Sequence, residues 1–157
     1  MCSAASPAER WTGPESLLPQ HQPIVVGADG STPSELAVEL AFAEAASRGV
    51  TLTAVRAWQE PAHRWGRSVD PARLATAAQQ VLAAQVEPWR AKYPTVQVLL
   101  RAVQGTVAPV LVSEAHDALM VVLGPRGQGG FEGLRLGSVT QQVLQHSSVP
   151  VLVARQP

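Results

Sequence analysis

Three glycines and a serine near the C-terminus carry the clearest chemistry in this chain. Gly124, Gly127 and Gly137-Ser138 fall in the spacing G-x2-G-x9-G-S, between an apolar run ending at Leu123 and a helical pattern opening at Ser138. Glycine tolerates close backbone approach and positive φ, so such a loop can turn bare N–H groups toward a phosphate chain. The helix N-terminus beyond it adds partial positive charge. Ser138 can cap that helix or donate its hydroxyl to a phosphate oxygen, with the N–H groups of Val139 and Thr140 pointing the same way. The two uses are compatible. The competing reading is a flexible surface corner, since Gly129, Gly130 and Gly133 lie in the same segment.

Asp29 follows the first apolar run, in Asp29-Gly30-Ser31. It can organise that turn, or its carboxylate can accept a hydrogen bond from a base or ribose. A carboxylate is repelled by a triphosphate, which puts Asp29 at the nucleoside end. Arg126 and Arg135 either offset phosphate charge or stay solvated. Each charge-assisted hydrogen bond contributes ~1.5–3 kcal/mol, so three or four reach the ~8 kcal/mol of micromolar binding.

Other chemistries find little support. No lysine follows the glycines as in a Walker A loop, and no G-x-G-x-x-G turn follows the first strand. There is no G-x-S-x-G elbow and no paired carboxylates on a helix face. His21, His63, His116 and His146 do not pair with acids, cysteine or one another at metal-ligand spacing. No catalytic residue and no metal ligand is therefore expected. Trp58 could wall a base, but Trp58, Trp65 and Trp89 read better as packing or loop anchors.

These residues need a frame. The 157 residues suit one domain, with 46% hydrophobic and 15% charged residues. Lys+Arg and Asp+Glu balance at 12 each, without the basic surplus that nucleic-acid binding leads one to expect. The one cysteine, Cys2, excludes an intramolecular disulfide framework. The start lacks a basic, then apolar leader pattern, and no apolar run approaches the ~18 residues of a membrane helix. A cytoplasmic protein without nucleic-acid or membrane partners is expected.

Residues 1–22 lack periodicity and read as a flexible tail, leaving 23–157 as the domain. Strands are expected at Ile24–Ala28, Val50–Trp58, Val96–Val103, Ala118–Leu123 and Val149–Ala154. Between them fall a helix to about Ser47 closed by Gly49, one over Pro71–Tyr93, one over Val107–His116 and one over Ser138–His146. Ser31, Thr32 or Ser34 can cap the first helix, and Thr106 the third. Leu36, Ala37, Leu40, Ala43 and Ala46 form the apolar spacing of the first, and Leu74, Val81, Leu82 and Val86 are expected inside the second. Pro88 should kink or end that second helix near Val86. Strict alternation of strand and helix predicts an α/β fold with a parallel sheet covered on both faces. Ligands in such sheets sit beyond the strands' carboxyl ends, where strand order reverses, so Asp29 and the 124–137 loop converge on one site.

Val25-Val-Gly-Ala-Asp-Gly-Ser31, the G-x2-G-x9-G-S loop and Val149-Pro-Val-Leu-Val153 together resemble the universal stress protein family, over about Pro23 to Arg155. The resemblance, to its ATP-binding branch, implies a single-domain, five-stranded parallel sheet of the adenine-nucleotide α-hydrolase-like kind. It implies ATP, with or without Mg, in a crevice at the carboxyl edge. Carried over, Asp29 and the backbone near Ala57 would meet the adenosine part. Gly127, Gly137, Ser138 and Val139 would hold ribose and phosphates, with Gly124 shaping the loop. Pro125 stands where the family has a small polar residue and removes one N–H donor. The resemblance also implies a homodimer through the last strand, whose bare apolar edge is otherwise a pairing hazard.

The leading expectation is thus an ATP-binding stress or signalling protein, with slow hydrolysis or autophosphorylation at most, because no general base is visible. The alternative is a nucleotide-independent dimeric interaction module. An ATP pyrophosphatase or adenylyl-transfer enzyme ranks last, since Asp29-Gly30-Ser31 is only a fragment of the phosphate loop such an enzyme needs.

Overall fold

In the computed structural model, residues 22–62, 66, 69–128 and 136–156 are described. The expected tail apart from Gln22, with Cys2 and His21, lies outside them, as do His63, Trp65 and loop residues 129–135 with Arg135. Along the described chain run β1 (Ile24–Gly27), α1 (Thr32–Arg48), β2 (Leu52–Trp58), α2 (Pro71–Lys92), β3 (Val98–Gln104), α3 (Val107–Glu114), β4 (Met120–Leu123), α4 (Ser138–His146) and β5 (Val151–Val153). The order matches the expected alternation. Strand ends differ from the expected bounds by up to two residues, mostly shorter, while β3 runs one residue past Val103 to Gln104.

The strands form one five-stranded sheet in the order β3-β2-β1-β4-β5. Every pairing is parallel, with Val25 beside Thr53 on one side and Val121 on the other. Side chains alternate across a strand, so the sheet has two apolar faces. Ile24, Val26, Leu52, Ala54 and Val122 join Val38, Phe42, Leu82 and Val86 of α1 and α2. Val25, Val55, Val121 and Leu123 join Ala108, Leu111 and Val143 of α3 and α4. Phe42, Ile24, Leu52 and Leu82 are wholly buried. Each such side chain contributes roughly 1.5–3 kcal/mol by leaving water.

Local chemistry sets the helix ends. Ser31 caps α1, accepting from the Ser34 N–H, while Ser34 Oγ donates back to the Ser31 carbonyl at 2.9 Å. Gly49 closes that helix in the left-handed region at φ 65°, as expected. Asp70 caps α2 by accepting from the Ala72 N–H at 3.0 Å, with Pro71 at the first turn. Thr106 occupies the cap position of α3 without the expected capping bond; its hydroxyl instead accepts from Gln59 Nε2 at 3.1 Å.

Three expectations about the helices need correction. The inward stripe of α1 is Ser34, Ala37, Val38, Ala41, Phe42 and Ala45, with Leu36 and Leu40 only half-buried. On α2 the stripe is Ala78, Leu82 and Val86, whereas Val81 is 42% exposed. Pro88 does not end α2, which runs on to Lys92. Ala84, whose carbonyl loses its partner there, is exposed, as is Pro88 itself. Water can satisfy that oxygen, so the helix continues.

Candidate functional site

Sheet order reverses between β1 and β4, and the site grows from that point. Chain leaving β1 passes through Ala28 and Asp29 into α1, while chain leaving β4 enters the glycine loop at Gly124. Gly124 approaches the other turn so closely that a Cβ on it would stand 2.7 Å from the Pro33 carbonyl oxygen. A Cβ on Gly127 would stand 2.9 Å from Asp29 Oδ2. Both glycines are therefore where they are because two loops touch. The sequence-distant corners do meet.

Asp29 holds the meeting together. Its Oδ1 accepts from the Ser31 N–H at 2.9 Å and from the Ser31 hydroxyl. Its Oδ2 accepts from the Gln128 N–H at 3.0 Å, and Gln128 Nε2 donates to the Asp29 carbonyl at 2.8 Å. Burial pushes the carboxyl's pKa up, but hydrogen bonds from Ser31, with smaller ones from Ser34 and Gln128, outweigh it and hold it below 3.8. Asp29 is an organiser of the turn, as one reading of the sequence had it, and also a clasp across the cleft.

The far end of the glycine loop is stitched equally firmly. Gly137 N donates to the Pro125 carbonyl at 2.7 Å, and buried Thr140 Oγ1 donates to the Gly124 carbonyl at 2.9 Å. Gly137, not Ser138, takes the cap position of α4; Ser138 is its first residue and is exposed. No side chain among the described residues caps this helix. The Gly137 N–H is thus committed to Pro125. The first-turn N–H groups of Ser138, Val139 and Thr140 have no acceptor among the described residues.

Between the loops lies a cleft of about 240 Å³. Of the expected site residues, Asp29, Ala57, Gly124, Arg126, Gly127, Val139 and Thr140 line it. Gly137 and Ser138 stand beside it, outside the lining. Val55, Val107, Leu111 and Leu123 give it an apolar wall. Ala57 contributes backbone. Ala28 N donates to the Val55 carbonyl and Gly105 N to that of Trp58. Alternation therefore turns the Ala57 N–H and carbonyl toward β1, which has already ended. Trp58 is not among the lining residues.

Among the lining residues that the sequence did not assign to the site, two carry functional groups of interest, Gln128 and Arg56. Gln128 lies in the glycine segment but carries no motif signal. Arg56, one position before Ala57, was hidden because an arginine near a strand end ordinarily reaches solvent. Its Nη1 is buried and without a hydrogen-bond partner among the described residues. No group of three or more His, Cys, Asp or Glu that could hold a metal occurs among the described residues. His146 Nδ1 donates to the Gln142 carbonyl at 2.8 Å at the end of α4, and His116 pairs with Asp117 just beyond α3.

The family model described as "Universal stress protein family" matches residues 20–155. The chain belongs to the universal stress protein family. Two Mycobacterium tuberculosis (strain ATCC 25618 / H37Rv) relatives are similar over most of it. Universal stress protein Rv2623 is 40% identical over 138 residues, covering 88% of this chain and 46% of the relative. Universal stress protein Rv2005c is 43% identical over 138 residues, covering 88% and 47%. The chain thus spans about half the length of these relatives. Among solved structures, a universal stress protein in complex with cAMP aligns with a TM-score of 0.69 at 23% identity, covering 88% of this chain and 99% of that one. The Archaeoglobus fulgidus family member in complex with dAMP aligns at 0.61 and 20% identity, covering 86% and 98%. At such identities they speak to the fold, and they bear out the single-domain five-stranded parallel architecture.

Proposed function

We propose that this universal stress protein binds an adenine nucleotide, ATP foremost, and signals through the occupancy of its cleft. The convergence of Asp29 and the 124–140 segment on one concave, half-apolar space carries the reading. Asp29 and the outward backbone of Ala57 suit a nucleoside. The uncapped first turn of α4, with Gly127 and Arg126 at the rim, suits phosphate. Adenine nucleotides in the related structures with cAMP and dAMP support the same ligand class.

The described residues also fit a binding role better than rapid turnover. Among the described residues Asp29 is the one carboxylate lining the cleft, and its oxygens already accept from Ser31 and Gln128. A divalent ion would have to be held chiefly by the phosphates and water. Slow hydrolysis or autophosphorylation is the most such a site supplies. No described helix is long and apolar enough to cross a membrane, and we place the protein in the cytoplasm.

We further propose a homodimer through the last strand. β5 ends the sheet, pairing with β4 on one side only among the described residues. Its outer edge offers Val151, Leu152 and Val153 to a second copy.

Calorimetry with ATP, ADP, AMP and cAMP tests the nucleotide. Micromolar binding by the wild type and its loss in Gly127→Leu is the expected result. No heat with any of the four, together with intact dimer formation, would replace this reading with a nucleotide-independent interaction module.

A further inference from the structure

We infer that Arg56 reads the base of the bound nucleotide, donating from its guanidinium to a purine ring nitrogen and so setting the cleft's selectivity. The inference rests on the nucleotide reading above and adds a recognition residue to it.

Arg56 lies near the carboxyl end of β2, on the strand face that Leu52 and Ala54 share. It lines the cleft directly before Ala57, whose outward backbone we assign to the nucleoside. Its Nη1 stands 3.6 Å from the position of a Cβ on Gly30, against the Asp29-Gly30 turn. Asp29 is the obvious neutralising partner, yet its carboxylate is turned to Ser31 and Gln128 instead. Among the described residues Arg56 forms neither an ion pair nor a hydrogen bond through that nitrogen.

A buried donor on a permanently charged group is costly to leave unmet, and native structures rarely do so without reason. A modest turn of this half-buried side chain would bring the donor to a ligand acceptor at this end of the cleft. Purine ring nitrogens are in-plane acceptors, which a planar guanidinium can approach edge-on. Pyrimidine nucleotides present fewer such atoms and would leave the donor unpaired. The cleft should therefore favour purines, and the preference should depend on Arg56.

The test uses the 157-residue chain, its Arg56→Met variant and its Arg56→Lys variant. Each is titrated by calorimetry with ATP, CTP and the 1-deaza, 3-deaza and 7-deaza forms of ATP, and each is melted without ligand. Methionine keeps most of the aliphatic bulk while removing the stranded donors. We expect Arg56→Met to melt roughly 2–4 °C higher than wild type without ligand. We expect it to bind ATP about tenfold more weakly and to lose most discrimination against CTP. One deaza form should bind wild type and variant alike, naming the contacted nitrogen. Arg56→Lys should keep charge but recover little affinity, because the fork is lost. Unchanged ATP affinity in Arg56→Met, or an equal loss for every analogue, overturns base reading by Arg56 while leaving nucleotide binding intact. Failure of the wild type to bind any nucleotide overturns both.

Discussion

Asp29 and Gln128, separated by 99 positions in the chain, hold each other twice: carboxylate to backbone N–H at 3.0 Å and carbonyl to side-chain amide at 2.8 Å. The pair closes the cleft with one residue from each loop at the point where sheet order reverses. Replacing Asp29 by Asn keeps the volume but sets an amide donor opposite the Gln128 N–H if the oxygen stays with Ser31. The variant should lose about 1–2 kcal/mol of stability. Urea unfolding measures it, and an unchanged midpoint would show the clasp contributes nothing.

The same carboxylate makes stability depend on acid pH. Its folded-state pKa lies below the ordinary 3.8, so folding favours the ionised form. That contribution is complete above 3.8 and is lost as pH falls through the lower, folded value. Wild type should therefore lose its stability margin over Asp29→Asn on acidification below about pH 4. Thermal melts of both proteins between pH 3 and pH 7 follow the margin. A gap that is constant across the series would mean the carboxylate's charge plays no part.

Gly124 and Gly127 belong to one motif but should fail differently. A Cβ on Gly124 would press on Pro33 backbone, at 2.7 Å from its oxygen and 2.9 Å from its carbon, with nothing flexible to yield. Gly124→Ala should cost about 1–3 kcal/mol through overpacking. On Gly127 the same atom meets only the Asp29 carboxylate, which can yield without moving backbone but at the expense of its bond from the Gln128 N–H. Gly127→Ala should lose less stability than Gly124→Ala, no more than that one bond's share, while weakening nucleotide affinity. Chemical denaturation beside calorimetry separates the two, and equal stability losses would refute the distinction.

Much of this was legible in the residues. Alternation of apolar runs with helical patterns specified the parallel sheet, because buried parallel strands read as short Val- and Ala-rich runs such as Ile24–Gly27. Seven of nine expected site residues line the cleft, five of them from the glycine segment and the helix it opens, Asp29 from the first turn and Ala57 from the family resemblance. What stayed hidden was three-dimensional in origin. Arg56 reads as a solvated strand-end cation until the strands around it are in place. The Gly137 N–H looked free because its partner, the Pro125 carbonyl, is twelve residues back across an unseen loop. That Pro88 does not end α2 was hidden as well, because proline's effect depends on whether the freed carbonyl faces water, which composition does not reveal.

Thr140 anchors the loop from the helix side. Its hydroxyl donates to the Gly124 carbonyl at 2.9 Å, and the residue is only 3% exposed. Thr140→Val is nearly isosteric and leaves that carbonyl without its side-chain donor. Stability should fall by about 1–3 kcal/mol, with weaker nucleotide binding as the loop loosens. Thr140→Ser restores the donor and should recover most of the binding. If Val and Ser variants bind alike, the hydroxyl does not position the loop.

Pro88 offers the opposite sign. It sits inside α2, where its missing N–H leaves the Ala84 carbonyl to solvent, yet the helix continues to Lys92. An interior proline ordinarily costs about 3 kcal/mol relative to alanine. Here exposure softens that cost, and proline's restriction of the unfolded chain offsets part of it. Pro88→Ala should consequently stabilise the domain by about 1–2 kcal/mol, read as a higher urea midpoint at unchanged slope. Nucleotide affinity should not move, because Pro88 is not among the cleft's lining residues. A lower midpoint would mean that proline's stiffening of the unfolded chain outweighs the hydrogen bond it forgoes.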